Sequence, residues 1–358
     1  MKKSKSMKPP VRLGIIGTGG MAAQHAAKFS EIRACKIVTA CDLDPDRVRT
    51  FAGTHKIPQT FTEVKAMLAS SEIDAVAIVT PDAFHAPIAL ASIAAGKHVL
   101  CEKPLALNFA DAKRMMLAAE KAGVVNMVNL SYRDWPAIQA VAHLLSKGTI
   151  GEIRHVEASY LQAWLVSTAW GDWRTTPAWL WRLSKQHGSN GVLGDIGVHI
   201  VDFAMFPAGP ISKVYCQLET FAKAPKNRIG EYVLDANDSA VMTVTFKNGA
   251  IGTIHTTRWC GGHANRLFLK IAGTLGSVEI DSDRSVTGYR ICVGKNLNTN
   301  TWVEVEAKPT PNNYQRFIRS IQSGTPDLPS FRQGAEAQRV LDACLESAAL
   351  DQPVRIGK

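Results

Sequence analysis

The chain has 358 residues and a mass of 38.8 kDa, a length that suits two domains of ordinary size better than one. Hydrophobic residues make up 46% of it and charged residues 20%, which excludes a disordered chain, a collagen-like chain and a small disulfide scaffold. The net charge of +10 is compatible with nucleic-acid binding, but no basic helix interleaved with aromatic residues occurs. We therefore expect no nucleic-acid partner, and we assign part of the charge to a solvated N-terminal tail with Lys2, Lys3, Lys5 and Lys8.

Apolar runs and cysteines limit the class of protein further. Runs such as 75–79 are much shorter than the ~20 residues that a membrane span needs. No apolar segment of a secretory signal precedes the first predicted strand, so we expect a cytoplasmic protein without a membrane partner. The seven cysteines are odd in number and include no C-x-x-C pair, which favours reduced thiols and predicts neither a disulfide framework nor a metal site.

The first third of the chain alternates between strand-like and helix-like segments. Its strand-like runs are continuous and apolar, as in strands that are buried on both faces. They lie at 11–17, 36–42, 73–80, 98–103 and 124–130. Predicted helices lie at 20–30, 84–96 and 110–123, and Asp44 and Pro45 predict the start of another, with Asp44 as its N-cap. This alternation indicates a parallel sheet with right-handed crossovers.

Beyond about residue 150, strand-like runs follow one another with few helices between them. They lie at 153–164, 211–221, 240–246, 251–258, 267–273 and 277–281. Asn248 and Gly249 separate two of these runs and predict a hairpin, and the whole pattern predicts an antiparallel or mixed sheet. Predicted helices lie at about 191–206, 312–323 and 331–350. We expect an α/β protein with one domain at 1–130 and a second at 131–358, whose last helix is a candidate for return to the first domain.

The loop after the first strand carries a dinucleotide-binding fingerprint. Gly17, Gly19 and Ala22 fit G-x-G-x-x-A: the first permits a tight turn, the second a close approach of pyrophosphate, and the third close packing of helix on strand. The following helix N-terminus adds N–H donors for a phosphate. The residues of this loop that we expect to contact the cofactor are Gly17, Thr18, Gly19, Gly20 and Met21.

An acid at the end of the second strand completes the fingerprint. Asp42 is placed to accept hydrogen bonds from the two ribose hydroxyls of NAD. No Arg or Lys immediately follows it to hold a 2′-phosphate, so we predict NAD as the cofactor and NADP as the less favoured one.

Two longer segments, 79-VTPDAFHAPIALASIAAGKHVLCEKPLA-106 and 188-GSNGVLGDIGVHIVD-202, resemble the Gfo/Idh/MocA oxidoreductase family over nearly the whole chain. The resemblance implies an N-terminal Rossmann dinucleotide-binding domain and a C-terminal α/β domain with a large open, mainly antiparallel sheet. It also implies a homodimer or homotetramer formed through that sheet, and we expect an apolar open face there. The stretch 188-GSNG-191 departs from the family's usual G-G-G.

The family motifs carry over to particular residues. Thr80, Pro81 and His85 match the loop at the nicotinamide end, and Glu102 and Lys103 match the E-K-P motif. Asp195 and His199 match the acid and histidine of the second domain, so the three catalytic candidates are Lys103, Asp195 and His199. The segments 160-YLQAW-164 and 181-WR-182 resemble features of members that act on sugars and anhydrosugars.

The chemistry of these side chains suits oxidation of a secondary alcohol of a sugar, anhydrosugar or inositol-like cyclitol. Imidazole suits the proton transfer, and an acid four residues earlier on a helix lies on the same face. We expect His199 with Asp195 to handle the proton and Lys103 to polarise the reacting oxygen. Expected substrate contacts are Lys103, Tyr132, Gln162, Trp164, Asp195 and His199.

Two other functions remain open at this point. One is a glycosidase that uses NAD for transient oxidation without net redox change. The other is a non-catalytic nucleotide sensor of the same fold, which would have no need of the three catalytic candidates. We predict an NAD(P)-dependent dehydrogenase that acts on CH–OH groups.

Overall fold

The computed structural model describes residues 8–69 and 72–357, which form two compact units. The first unit comprises the chain up to Leu130 together with Pro311–Ala335, and the second comprises Ser131–Thr310 together with the chain from Glu336 onward. Lys2, Lys3 and Lys5 of the expected tail lie outside the described residues. The sequence-based division assigned 311–335 to the second domain. In the structure this segment belongs to the first unit, because Tyr314, Phe317 and Ile318 pack into that unit's core.

A six-stranded parallel sheet forms the centre of the first unit, as predicted. Its strands are β1 (Val11–Ile16), β2 (Cys35–Cys41), β3 (Gln59–Phe61), β4 (Ala75–Ile78), β5 (His98–Cys101) and β6 (Asn126–Val128). Their order is β3-β2-β1-β4-β5-β6, with every pair parallel. This is the doubly wound order of dinucleotide-binding domains, in which ligands bind at the carboxyl ends of the strands.

Helices connect these strands. They are α1 (Gly20–Ser30), α2 (Pro45–His55), α3 (Val64–Leu68), α4 (His85–Ala94) and α5 (Phe109–Ala122), with a short 3₁₀ turn at Asp82–Phe84 before α4. The start of α2 confirms the prediction for Asp44, whose carboxylate accepts the backbone N–H groups of Asp46 and Arg47 at 3.0 Å each. β3 and α3 were not predicted from the sequence, because each is too short to show a periodic pattern.

A nine-stranded, mainly antiparallel sheet forms the second unit, which confirms the predicted fold class. The strands of this unit are β7 (Ile153–Leu161), β8 (Ile211–Glu219), β9 (Arg228–Ile229), β10 (Tyr232–Val233), β11 (Ser239–Phe246), β12 (Ile251–Thr257), β13 (Arg266–Gly273), β14 (Gly276–Asp281), β15 (Gly288–Val293), β16 (Val303–Glu306) and β17 (Val354–Arg355). The order in the large sheet is β16-β15-β14-β13-β7-β12-β11-β8-β17, while β9 and β10 form a separate pair. Only the β7–β12 pairing in the large sheet is parallel among the described strands.

The remaining helices include the element that carries the predicted catalytic acid and histidine. They are α6 (Pro136–Ser146), α7 (Pro177–Leu180), α8 (Val198–Ala208), α9 (Asn313–Ser323) and α10 (Phe331–Leu350). The predicted helix at 191–206 corresponds to a π turn at Leu193–Gly197 that leads into α8. Such π turns are rare in proteins, and those that occur are often found at functional sites. The first residues of α10, Phe331–Ala335, belong to the first unit and the rest to the second.

One face of the large sheet is covered and the other reaches solvent. Along β11, Ala240, Met242 and Val244 are buried, whereas Val241 between them is 51% exposed. Helix α8 packs on β7, β12 and β13, and α6 packs on β14 and β15. The helical layer therefore covers a single face of the sheet.

The open face differs from the apolar surface that we expected. Residues that are cross-strand neighbours form a row of alternating charge, in the order Glu157, Lys270, Glu279, Arg290 and Glu304. Exposed Val241 and Ile251 lie on other strands of the same sheet. Opposite charges on facing strands stabilise a sheet that remains open to water, so this face carries charged side chains in addition to the exposed apolar ones that we expected.

The structure also bears on membranes, metals and thiols. Within residues 8–69 and 72–357, every helix is too short or too polar to cross a membrane. In the same ranges no group of three His, Cys, Asp or Glu side chains is placed to hold a metal ion. All seven cysteines are free thiols, and most of them are buried.

Candidate active site

The turn between β1 and α1 has the shape that a pyrophosphate needs. Gly17 has a φ of +87°, and a Cβ there would lie 2.7 Å from the carbonyl oxygen of Val79. At Gly19 and Gly20, by contrast, a Cβ would meet no atom within 4 Å. Gly19 caps α1 without any side-chain hydrogen bond, so this open space lies at a helix N-terminus whose N–H groups suit a phosphate.

Asp42 at the end of β2 is held by neighbours of the same turn. Its Oδ2 accepts the backbone N–H of Thr18 at 2.8 Å and the hydroxyl of Thr18 at 2.9 Å. Its Oδ1 lies 3.0 Å from a guanidinium nitrogen of Arg47 on α2. Burial alone would raise the pKa of Asp42, but the N–H groups of Asp44 and Thr18, the Thr18 hydroxyl and the Arg47 charge together lower it. The carboxylate therefore stays ionised, as an acceptor for ribose hydroxyls must.

Glu102 at the end of β5 is buried in a polar network. Its Oε1 lies 2.7 Å from Nε2 of His25 and accepts the side-chain amide of Asn129 at 2.7 Å. Its Oε2 accepts the backbone N–H of Lys103 at 3.1 Å. Burial favours the neutral acid, but the hydrogen bonds and charge of His25, then Asn129 and Lys103, lower the pKa of Glu102 to about 2. The side chain predicted to contact the cofactor is thus held by the protein and positions the backbone of Lys103.

The loop at 80–85 lies against the E-K-P loop through His85. Its Nδ1 lies 2.8 Å from the carbonyl oxygen of Pro104, and its Nε2 lies 2.9 Å from that of Thr80. The imidazole is fully buried, so His85 braces the two loops. The Oγ1 of Thr80 is also buried, and it has no hydrogen-bond partner among the described residues. An orphaned hydroxyl beside the dinucleotide turn fits a polar group of the cofactor.

The second unit gathers hydroxyl and amide side chains from distant parts of the chain. Tyr160 donates to Oδ1 of Asn265 at 2.7 Å, and Gln162 donates to the same oxygen at 2.9 Å. The hydroxyls of Tyr132 and Tyr160 lie 2.5 Å apart, and the Asn265 amide donates to Tyr132 at 3.2 Å. Burial first, and then Tyr132 and the charge of Asp195, raise the pKa of Tyr160 far above its usual value. Tyr160 therefore remains a hydroxyl donor, and we call Tyr132, Tyr160, Gln162 and Asn265 the polar cluster.

His199 and Asp195 border this cluster. The ring of His199 packs edge-on against Tyr132, with centroids 4.6 Å apart, and lies 6.4 Å from the ring of Tyr160. The carboxylate of Asp195 accepts from the fully buried Arg258 at 2.8 Å and lies 3.6 Å from Arg182. Two guanidinium groups next to one carboxylate favour its ionised form.

Comparisons with known proteins agree with this geometry. Residues 11–130 match the model of an oxidoreductase family with an NAD-binding Rossmann fold, and residues 138–279 match the GFO/IDH/MocA C-terminal domain. An oxidoreductase domain protein of Kribbella flavida has a crystal structure that is 32% identical, covers 98% of this chain and 100% of its own, and superposes with a TM-score of 0.87.

The chain belongs to the Gfo/Idh/MocA oxidoreductase family. It is an NAD-binding oxidoreductase with the two-domain fold of that family. Levoglucosan dehydrogenase of Pseudarthrobacter phenanthrenivorans is 26% identical over 97% of this chain and 98% of its own length. A structure of levoglucosan dehydrogenase in complex with NADH and levoglucosan is 25% identical, covers 98% of this chain and 100% of that one, and has a TM-score of 0.85.

Within this Gfo/Idh/MocA protein, the predicted site residues fall into two groups, one in each unit. The first unit contains the residues of the turn between β1 and α1. It also contains Asp42, Thr80, Pro81, His85, Glu102 and Lys103. Met21 lies on the first turn of α1 and is half exposed, beside the open space at Gly19 and Gly20. The second unit contains Tyr132 and Gln162, which are members of the polar cluster. It also contains Trp164, Asp195 and His199, which lie around that cluster.

Several residues that shape the site were missed by sequence reasoning. Arg47 lies in the first turn of α2 and reaches Asp42 from five residues away. Arg258 and Asn265 both lie in the segment between β12 and β13, and nothing local marks them. His25 and Asn129, which hold Glu102, also required the tertiary structure.

Proposed function

We propose that the protein is an NAD-dependent dehydrogenase that oxidises a secondary alcohol of a sugar, an anhydrosugar or a related cyclitol. The observation that carries this proposal is the polar cluster beside His199. Hydroxyl and amide groups at 2.5–3.2 Å from one another form a cluster in which Tyr160 and Gln162 are buried and Tyr132 and Asn265 are partly exposed. Such a set of donors and acceptors matches a substrate with many hydroxyl groups. The likeness to levoglucosan dehydrogenase supports an anhydrosugar or sugar as the substrate class.

In this proposal His199 handles the proton and Lys103 stabilises the oxygen. Bound NAD supplies the acceptor for the hydride that leaves the substrate carbon. A neutral imidazole at His199 accepts the hydroxyl proton, because imidazole titrates near neutral pH. The ammonium of Lys103 donates to the reacting oxygen and favours its alkoxide character. The buried network under Glu102 supports this role, because it holds the backbone at Lys103.

Asp195 has a supporting electrostatic role. Its carboxylate remains negative beside Arg258 and Arg182, and a fixed negative charge near His199 favours the imidazolium that forms during oxidation. The π turn that carries Asp195 leads directly into α8, which carries His199, so one continuous helical segment positions both groups. We propose that Asp195 stabilises the charged form of His199 while its arginine partners keep it in place.

NAD is the proposed cofactor in preference to NADP. The ionised Asp42 suits ribose hydroxyls and repels a 2′-phosphate. Arg47 offsets part of that repulsion, because its guanidinium lies 3.0 Å from Asp42. We therefore propose that the protein prefers NAD but also binds NADP, with lower affinity.

The open face of the large sheet is the proposed oligomer interface. It combines the row of alternating charge with exposed Val241 and Ile251, and such mixed surfaces are common in protein interfaces. We propose a homodimer or homotetramer. Light scattering at micromolar concentration checks it, and a monomer mass would overturn it.

A substrate panel tests the proposed function. Sugars, anhydrosugars and inositols are each incubated with NAD and with NADP, and the absorbance of the reduced nicotinamide is followed. We expect turnover of at least one polyol with NAD. Product analysis accompanies the assay, because glycoside cleavage without net reduction of NAD would favour a glycosidase. The absence of both reactions across the panel would overturn the proposal.

A further inference from the structure

Three tryptophan rings lie one after another next to the polar cluster, and they range from buried to partly exposed. The rings of Trp164 and Trp179 have centroids 5.4 Å apart, and those of Trp179 and Trp170 are stacked at 6.0 Å with an interplanar angle of 18°. Trp164 at the inner end is 5% exposed, whereas Trp170 at the outer end is 38% exposed. We call these three residues the tryptophan stack. It leads from buried protein to solvent.

The inner end of the stack is part of the site. The indole N–H of Trp164 donates to Oε1 of Gln162 at 3.0 Å, and Gln162 belongs to the polar cluster. The guanidinium of Arg258 lies 4.9 Å from the ring centroid of Trp164 and also binds Asp195. The stack is thus continuous with the residues that border His199.

Core packing explains only part of this arrangement. Trp164 and Trp173 pack with Leu165, Leu180, Leu183 and Leu234 in a buried cluster. Trp170 lies outside that core, and so does Trp181, which is also 38% exposed. Two partly exposed indoles beside the proposed site offer apolar surface to a ligand.

Arg182 adds a polar edge to the stack. Its guanidinium lies 5.7 Å from the ring of Trp179 and 4.6 Å from that of Trp181. Its side chain is 32% exposed, and its buried Nε has no hydrogen-bond acceptor among the described residues. Aromatic faces with a hydrogen-bond donor at their edge match a sugar ring, whose C–H faces are apolar and whose rim carries hydroxyl groups.

We propose that the tryptophan stack is a second sugar-binding subsite and that the preferred substrate is a glycoside, a sugar with a second ring attached through its anomeric oxygen. This inference rests on the proposed function and names its substrate class. A whole indole separates Trp170 from Trp164, so a sugar ring bound at Gln162 does not reach Trp170. A second ring bridges that distance and covers Trp170.

The charges near the stack argue against a sugar phosphate. Arg182 and Arg258 both face Asp195, and Arg174 lies 3.4 Å from Asp172. Each cation thus already has a carboxylate partner, and a phosphate would have to compete with it. A neutral second ring needs no such exchange.

Steady-state kinetics on matched sugars test the subsite in the full-length protein. For each of glucose, galactose and mannose, kcat/KM with NAD is compared among the free sugar, its phenyl glycoside, a disaccharide that carries it at the non-reducing end, and its 6-phosphate. We expect the phenyl glycoside and the disaccharide to exceed the free sugar by about 5–10-fold, the gain expected from one aromatic stacking contact.

Substitutions at Trp170 decide whether the stack causes that preference. Trp170→Ala should lower the ratio of kcat/KM for the two-ring substrate over the free sugar to near one, and Trp170→Phe should restore most of it. Trp302→Ala is the matched control, because this indole packs against Lys270 and Arg290 on the large sheet and not on the tryptophan stack. It should leave the ratio unchanged. Since the open face of that sheet is the proposed oligomer interface, light scattering must show that the control variant keeps the mass of the unmodified protein.

Binding provides a readout that is independent of turnover. Calorimetric titration of the NADH-loaded protein with cellobiose should show affinity that Trp170→Ala weakens about 5–10-fold and Trp302→Ala does not. An unaltered ratio and affinity in Trp170→Ala, or a preference for the 6-phosphate, would overturn the subsite while leaving the dehydrogenase intact. Failure of every sugar to turn over, with cellobiose binding that still depends on Trp170, would instead overturn the proposed function.

Discussion

The two units hold their site carboxylates by different means. In the first unit, Asp42 and Glu102 rely mainly on backbone N–H groups and on side chains such as Thr18, Asn129 and His25. Asp42 has one guanidinium partner in addition, the exposed Arg47. In the second unit, Asp195 relies on two guanidinium groups that lie beside tryptophan rings. If the proposed sites are correct, the first arrangement holds the cofactor largely through backbone groups. The second uses long side chains, which can change with the substrate while the sheet below them stays the same.

Removal of a proposed catalytic side chain should have the largest effect and should separate the two units. His199→Ala and Lys103→Ala should each lower kcat by about 10²–10⁴, as expected for a positioned acid–base or electrostatic group. NAD affinity should change little in His199→Ala, because His199 belongs to the second unit. Turnover and NAD binding are measured on the same sample. Near-normal turnover with intact binding would remove His199 from the mechanism.

The pH dependence of kcat/KM for oxidation sharpens the same assignment. The rate should rise with the loss of one proton, because the neutral imidazole of His199 is the working base. In His199→Ala that rise should disappear from the range in which imidazole titrates. A rise that persists unchanged would assign the base to another group.

Breaking the arginine–carboxylate contact should destabilise the second unit. Arg258→Met leaves Asp195 without its 2.8 Å partner, and loss of one member of a buried pair costs about 3 kcal/mol. Arg154→Met is the matched control, since Arg154 pairs with Glu152 where both side chains are largely exposed, and this substitution should cost less than about 1 kcal/mol. Calorimetric melting compares the two. Equal effects would mean that Arg258 contributes little to holding Asp195.

Glu102 should give the first unit a distinctive dependence of stability on pH. Its pKa is lowered to about 2 in the folded state, so its contribution is complete above the pKa of the unfolded chain and is lost as the pH falls from about 5 towards 2. Glu102→Gln should cost about 3 kcal/mol at pH 7, a difference that shrinks across that window. Glu31→Gln, on an exposed side chain, serves as control. Denaturant unfolding at several pH values that shows a constant difference would contradict this account.

Asp42→Ala should weaken NAD binding by about 10–100-fold, because it removes charge-assisted hydrogen bonds to the ribose. NADP binding should weaken less. Titration of the protein with each cofactor measures the two affinities. A protein that, unmodified, uses NADP at least as well as NAD would contradict the role of Asp42.

The smallest effect is expected at Arg47. Arg47→Ala should change NAD affinity by less than about threefold, because an exposed ion pair contributes little. In the Asp42→Ala background it should remove the residual tolerance of NADP, since Arg47 is then the cation beside the 2′-position. If the double variant binds NADP as well as Asp42→Ala alone, Arg47 does not face that phosphate.

More of the structure of the first unit than of the second could be predicted from the sequence. The predicted strands at 11–17, 36–42 and 98–103 correspond to β1, β2 and β5, and the start of α2 at Asp44 was also correct. The charged row on the open face was not predicted, because the row from Glu157 to Glu304 depends on the register of five strands. Such cross-strand neighbours lie far apart in the chain, and a one-residue slip would move them to the other face.

The sequence by itself determined the parts of the protein whose physics is local. A tight turn needs Gly17, a helix start favours Asp44, and an acid at the end of β2 follows from a spacing of about twenty residues. The tertiary structure alone decided that Arg258 and Asn265 meet Asp195 and Tyr132, and that His25 lies against Glu102. Buried polar side chains require partners, and only the folded chain brings those partners together from 60 to more than 130 residues away.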